Sequence, residues 1–257
     1  MFSQKEILRV AMEQSARDLN CRPEDFLRSE PVIVSGGLGP DAKRYYTKPV
    51  SCLLVSYGMN AVASVREECR EAVTEYVNGG DFYRCFEATR MLELYRRLDP
   101  RDCQTFFQAE YFLPRLDRLR APECPYPLRV IEKAGFAGLY QPEWHNALCE
   151  ERKELDVLGV GAYDGDRLIA LAGCSADAEE MWQIGIDVLP AYRRRGVAAA
   201  LTGRLALEIL DRGKVPFYCA AWSNIRSVRN ALRSGFRPAW AELTAKPAAF
   251  VDRMNER

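Results

Sequence analysis

The chain has 257 residues and 36 basic side chains against 36 acidic ones, a formal net charge of zero. Hydrophobic residues make up 48% and charged residues 28%. That excludes a disordered, collagenous or coiled-coil chain, and bulk electrostatics give no case for a nucleic-acid partner. The length suits one large domain or two small ones and buries enough apolar surface to fold without disulfides or metals. The nine cysteines are odd in number and contain no C-x-x-C pair. They read as reduced thiols, mostly small core residues, in a reducing cytoplasm. The single histidine, His145, excludes a site built on two or three imidazoles, and no common zinc framework is present.

Charges at Lys5 and Glu6 with no apolar stretch behind them predict no signal peptide. The uncharged run 49–65 contains Ser51, Ser56, Gly58 and Asn60. It is shorter than the ~20 apolar residues of a membrane span and predicts a buried hairpin. The protein is expected to be soluble and cytoplasmic, with no membrane partner.

Ser3 and Glu6 form a capping-box signature ahead of Ile7, Val10, Ala11 and Leu19, which predicts a helix over about 3–19. The run 35–40 is glycine-rich and reads as a loop. Strands are predicted at 52–55 and 61–65 around Gly58-Met59-Asn60, helices near 67–77 and 82–97, and an aromatic strand from Thr105 to Phe112 that ends at Pro114. The aromatic clusters Arg44-Tyr45-Tyr46 and Phe82-Tyr83 read as packing and surface. Pro122, Pro125 and Pro127 cannot continue a helix or a central strand. They predict a connector, and with it two domains, 1–124 and 125–257.

The second half is denser in signals. A strand is predicted at 128–132 and a helix at 143–155. Strands at 157–163 and 168–176 are joined by the turn Asp164-Gly165-Asp166. A third strand, 181–188, ends at Leu189-Pro190. A basic loop follows, Arg193-Arg194-Arg195-Gly196, and then a helix to about Arg212 with Leu201, Leu205 and Ile209 on one face. Gly213 closes it. A strand at 215–221, a helix at 225–233 and a strand at 237–244 complete the order.

The basic loop is the chemical feature. A strand runs into it and it opens a helix. The first helical turn has backbone N–H groups without partners, and the helix dipole favours an anion there. Gly196, Ala198 and Ala199 let a phosphate approach the backbone, and the arginines add positive charge. The loop is a pyrophosphate cradle without the G-K-[ST] of a P-loop or the G-x-G-x-x-G of a dinucleotide fold.

Arg193-x-x-Gly196-x-Ala198 resembles the Q/R-x-x-G-x-G/A motif of the GNAT superfamily of N-acetyltransferases. The lead-in Val188, Pro190, Tyr192, Arg193 and the downstream Asn224, Ser227, Gly235, Phe236 are similar to the same family, as is the order of elements over about 128–246. The resemblance implies an α/β fold of the α+β kind: a mixed, mostly antiparallel sheet flanked by helices, here preceded by a smaller α/β domain. It implies acetyl-coenzyme A as co-substrate and no metal. Backbone groups of Ile186, Asp187 and Val188 would pair with the pantetheine arm. The N–H groups of Arg194, Arg195, Gly196, Val197, Ala198 and Ala199 would hold the pyrophosphate beside Arg193. Asn224 would bond pantetheine, with Ser227 nearby, and Asn224 doubles as a helix N-cap.

Two departures concern catalysis. Ala231 stands where many members carry a tyrosine acid, and Trp182 where histone-type members carry a glutamate base. A thiolate with an intrinsic pKa near ~8.5 leaves without a strong acid. His145 is the candidate catalytic base, with Tyr218, Ser223 and Asp187 behind it. Its competing role is a local hydrogen bond. Trp144, Trp182 and Trp222 are candidate pocket aromatics or core and rim packing. The expected reaction is direct attack by a small-molecule or peptide amine on the thioester, with the N–H near Val188 polarising the carbonyl. The alternative is a non-catalytic acyl-coenzyme A sensor. The first 124 residues would wall the acceptor cleft, support a homodimer or hold a degenerate copy of the same fold.

Overall fold

The computed structural model describes residues 2–47, 50–99 and 102–256. Pro49, where the long uncharged run begins, lies outside them. Helix α1 (Gln4–Leu19) opens on the capping box: Ser3 N donates to Glu6 Oε2 at 2.7 Å and Glu6 N to Ser3 Oγ at 3.3 Å. Strands β1 (Val32–Ser35), β2 (Cys52–Ser56) and β3 (Val62–Val65) follow, then α2 (Arg70–Asn78), α3 (Ala88–Arg97) and β4 (Cys103–Pro114). The helix expected over 82–97 is broken. A 3-10 turn spans Phe82–Phe86, and Glu87 is extended at φ −88°, ψ 143° before α3 starts. The 35–40 loop follows β1, a strand the sequence reading omitted.

The second half runs β5 (Leu128–Glu132), β6 (Asp156–Asp164), β7 (Arg167–Ser175), β8 (Met181–Val188), α4 (Val197–Asp211), β9 (Val215–Ala221), α5 (Ile225–Arg233), β10 (Phe236–Pro247) and α6 (Ala248–Asn255). The helix expected over 143–155 is absent. Only 3-10 turns form there, Pro142–Trp144 and Glu150–Arg152. Side chains take backbone donors of this segment: Asp187 accepts from Asn146 N and Ala147 N, and Asp156 from Cys149 N. Trp144, Ala147 and Leu148 pack on Phe136 and Leu171, which fixes the segment further. The last strand is longer than expected, and α6 after it was not anticipated.

The chain folds as two compact units. One combines the stretch up to Val10 with Phe112–Pro238; the other combines Ala11–Tyr111 with the chain from Ala239 onward. The division therefore differs from a cut at 124/125. Two physical reasons stand out. Leu119, Cys124 and Tyr126 pack on the core of the first unit, and a Cβ on Gly203 of α4 would strike the carbonyl of Arg120. The proline segment is thus packed chain rather than a free connector. In addition, β10 pairs antiparallel with β2 from Ala241↔Ser56 to Ala245↔Cys52, which binds the end of the chain to its beginning.

In the second unit, β2 and β3 form the expected antiparallel hairpin, and β1 joins β3 in parallel. Every residue of β2 and β3 is buried, so neither strand shows the alternation of a half-exposed sheet. Beside the apolar core lies a buried polar cluster. Lys43 is paired with Asp18 and stands 3.7 Å from Glu242 Oε1. Tyr46 donates to Glu242 Oε2, and Trp240 Nε1 donates to Glu242 Oε1 at 2.8 Å.

In the first unit, β5, β6, β7 and β8 are antiparallel in sequence order, and β8 pairs with β9 in parallel. This is the mixed, mostly antiparallel sheet expected. Leu201, Leu205 and Ile209 of α4 are buried against Val160, Ile169, Ala172 and Ile184, as the helical spacing requires. No described helix is long and apolar enough to cross a membrane.

Candidate functional site

The site is made by two parallel strands that part. β8 and β9 pair only from Met181↔Val215 to Gln183↔Phe217, yet β8 continues to Val188 and β9 to Ala221. Beyond Gln183 and Phe217 the facing edges are no longer bonded to each other. A cavity of about 1290 Å³ opens there and runs to the start of α4. Ligands in sheets with parallel strands commonly sit at the carboxyl ends of the strands.

The loop before α4 has positive φ at two residues, Arg194 (66°) and Gly196 (82°). Gly196 is the N-cap of α4 and no side chain caps the helix. The N–H groups of the first turn are therefore left for a ligand. A Cβ on Gly196 would meet nothing within 4 Å, so the space above the turn is open. An arginine held left-handed is strained by roughly 1–2 kcal/mol, and such strain gathers at functional loops.

The cavity brings together nearly every residue that the sequence predicted for cofactor binding. Ile186, Asp187, Val188, Arg193, Arg194, Gly196, Val197, Ala198, Ala199, Asn224 and Ser227 all line it. Asn224 Oδ1 accepts from Ser227 N at 3.2 Å, so it caps α5 and faces the cavity at once. Arg195 does not line the cavity. Its guanidinium donates to Tyr126 OH at 2.6 Å and lies over the Tyr192 ring.

His145 is exposed and also lies off the lining. Its Nδ1 bonds the Pro142 carbonyl at 2.7 Å and its Nε2 bonds Asn146 Nδ2 at 3.1 Å. Both ring nitrogens are engaged, so work as a base first requires the Asn146 bond to break. Its neighbour Asn146 does line the cavity. None of the three candidate tryptophans does. Trp144 is buried with Phe136, Trp182 packs on the α4 core, and Trp222 is 65% exposed. Ser223 is likewise off the lining.

Tyr218 is the residue the sequence undervalued. It is buried on β9, lines the cavity, and its hydroxyl lies 2.8 Å from Ser227 Oγ on α5. Burial raises its pKa, opposed by hydrogen bonds to Ser227 and Asn230. The phenol therefore keeps its proton at neutral pH. Next to it, Cys219 accepts a hydrogen bond from Gln183 Nε2 at 3.0 Å. Asp187 is the one carboxylate among the lining residues. Among the described residues, no group of three or more His, Cys, Asp or Glu side chains could hold a metal ion.

The family model described as GNAT acetyltransferase matches residues 105–239, more than half of the chain. The chain belongs to the GNAT acetyltransferase family. The match reaches back to β4, ahead of the segment whose motifs carried the resemblance. No curated protein matches the chain. Solved structures similar to it include a GNAT-family acetyltransferase from Novosphingobium aromaticivorans, at 21% identity over 56% of this chain and 66% of that one, with a TM-score of 0.41. A GCN5-related N-acetyltransferase-like protein from Streptococcus suis has 18% identity over 57% and 63%, with a TM-score of 0.42. A GCN5-related N-acetyltransferase from Kribbella flavida has 14% identity over 77% and 87%, with a TM-score of 0.44. The chain thus spans just under two thirds of the length of the first two.

Proposed function

We propose that the protein is an acetyl-CoA-dependent N-acetyltransferase acting on a primary amine. The observation that carries this reading is the gap between β8 and β9 leading to the uncapped N-terminus of α4. From Gln183 to Val188 there are five strand steps of roughly 3.3 Å, about 17 Å in all. That is the scale of an extended phosphopantetheine arm. The pyrophosphate would sit on the N–H groups of Val197, Ala198 and Ala199, and the arm would run along Ile186 to Val188 with Asn224 bonding one of its amides. The thioester would then lie toward Gln183 and Tyr218.

In the reaction, the amine nitrogen bonds to the thioester carbon and the C–S bond breaks. The thiolate takes up a proton and the amine releases one. A backbone N–H of β8 toward its Gln183 end, where the thioester would lie, would stabilise the developing oxyanion. Tyr218, protonated and facing the cavity, donates to the departing sulfur. Asp187 and Asn146 also line the cavity and are candidate groups for the acceptor's ammonium. A small-molecule or peptide amine is the acceptor class.

The test is turnover. The protein with acetyl-CoA and a panel of amines (amino acids, polyamines, aminoglycosides, peptides with free N-termini) should release free thiol above the rate of hydrolysis for at least one acceptor class. Release with none of them, alongside tight acetyl-CoA binding, favours the second reading, a non-catalytic acyl-CoA sensor. The occupied ring nitrogens of His145 are the observation behind that second reading.

A further inference from the structure

The arginines around the cavity outnumber what a pyrophosphate needs. Arg193 and Arg194 flank the α4 N-terminus. Three more, Arg226, Arg229 and Arg233, line the same cavity from α5. Their spacing of three and four residues puts them on one face of that helix. Among the described residues, the guanidinium groups of Arg194, Arg226, Arg229 and Arg233 make no hydrogen bond or ion pair. Other surface arginines behave differently: Arg204 and Arg212 of the same unit both pair with Glu208. The chain carries no net charge, so five arginines on one cavity with a single carboxylate, Asp187, are a local concentration and not a bulk excess.

That carboxylate does not neutralise them. Asp187 accepts from Asn146 N at 2.8 Å, Ala147 N at 3.0 Å and Asn146 Nδ2 at 2.7 Å. α5 also lies against the start of α4, since Ser234 Oγ donates to the Ala199 carbonyl at 3.2 Å and Asn230 Nδ2 to Thr202 Oγ1 at 2.9 Å. The arginine row therefore begins next to Asn224 and ends beside the first turn of α4.

We propose that Arg226, Arg229 and Arg233 form a second phosphate site, on α5 beside the α4 N-terminus, that takes the 3′-phosphate on the adenosine end of a CoA ligand. The proposal rests on the acyl-CoA reading above. A pyrophosphate brings about two negative charges and a terminal phosphate monoester brings nearly two more. Guanidinium groups recognise such a monoester through paired N–H donors. The row makes the protein selective for CoA over ligands that end in an unphosphorylated adenosine.

The experiment compares the calorimetric affinity of CoA and dephospho-CoA for the full chain. It uses wild type, the triple variant R226Q/R229Q/R233Q and the charge-keeping R226K/R229K/R233K. Exposed contacts are screened by salt, so the titrations are run at low and at physiological ionic strength. Wild type should bind CoA about tenfold or more tightly than dephospho-CoA at low salt. The glutamine variant should bind the two alike while keeping wild-type affinity for dephospho-CoA. The lysine variant should keep part of the preference. Equal wild-type affinity for the two ligands overturns the proposal, as does an undiminished preference in the glutamine variant. If wild type binds neither ligand, the acyl-CoA reading itself fails and the proposal falls with it. Binding of both ligands with no preference leaves that reading standing and removes only this one.

Discussion

The carboxylate of Asp187 on β8 holds Asn146 at two points: its backbone N–H at 2.8 Å and its side-chain amide at 2.7 Å. Close approach makes this possible. A Cβ on Gly185 would strike the Asn146 carbonyl, and one on Gly173 the carbonyl of Ala147. The turn around Trp144–Leu148 is thereby laid on the sheet, and it brings Asn146 to the cavity.

Asp187→Ala removes the acceptor for three N–H donors. The expected cost is about 1–3 kcal/mol of stability, read as a lower urea midpoint. Near-UV circular dichroism of the neighbouring Trp144 should change as well. Asp187→Asn keeps one acceptor and should fall between the two. Wild-type stability in Asp187→Ala would show that the turn is held by Trp144 packing alone.

Tyr218→Phe removes the hydroxyl near Ser227 and leaves the ring in place. The fold should be kept, and kcat for acetyl transfer should fall by about 10- to 100-fold with KM for acetyl-CoA little changed. The defect should shrink with an acyl donor whose thiol is more acidic, because such a leaving group needs less help. A defect that is the same for every donor would make Tyr218 a packing residue.

Much of the site was readable because its signals are local. The loop Arg193–Gly196, the small residues after it and the Asn224 cap each declare themselves within a few positions. The α4 period and the Ser3–Glu6 box are equally local. What escaped the sequence depends on distant partners. The run 143–155 has helical composition, but Asp187 and Asp156 capture its backbone donors. β1 is four residues long and is defined by parallel pairing with β3. The make-up of the two units follows from β10 pairing with β2, which no local pattern announces. Arg195 turns from the cavity because Tyr126, far back in the chain, offers it a partner. Tyr218 reads as an ordinary strand aromatic until β8 and β9 are seen to part.

Lys43 tests the buried cluster of the second unit. Its ammonium faces two buried carboxylates, Asp18 and Glu242. Lys43→Met strands both, and the expected loss is about 3–5 kcal/mol, since breaking one side of a buried ionic group leaves uncompensated charge. Tyr46→Phe, which removes one donor to Glu242, should cost less, about 1–3 kcal/mol. Equal effects of the two changes in urea denaturation would contradict the central place given to Lys43.

Asp156 gives a pH dependence with a definite sign. Burial pushes its carboxyl up from 3.8 to about 6, against the favourable Cys149 N–H, Tyr140 and Arg152. Below the unfolded value both states are protonated. Between it and 6 the unfolded state ionises while the folded one keeps its proton. Stability therefore falls as pH rises through this window, by up to about 3 kcal/mol, and levels off above it. In Asp156→Asn this component should vanish, while the Cys149 N–H keeps an acceptor. Melting temperatures of both proteins between pH 4 and 7 check it; parallel curves would show that Asp156 titrates normally.

The most direct test of the account is thermal unfolding with and without excess acetyl-CoA, for wild type and Gly196→Glu. The new side chain would enter the open space above the α4 N-terminus and put a carboxylate where the pyrophosphate belongs. At about 100 times its dissociation constant the ligand should add about 2.7 kcal/mol to wild type, a rise of a few degrees. The variant should melt slightly lower and show no rise. No shift in wild type, or an equal shift in both proteins, would contradict the assignment of the β8–β9 gap and the α4 N-terminus as the acetyl-CoA site.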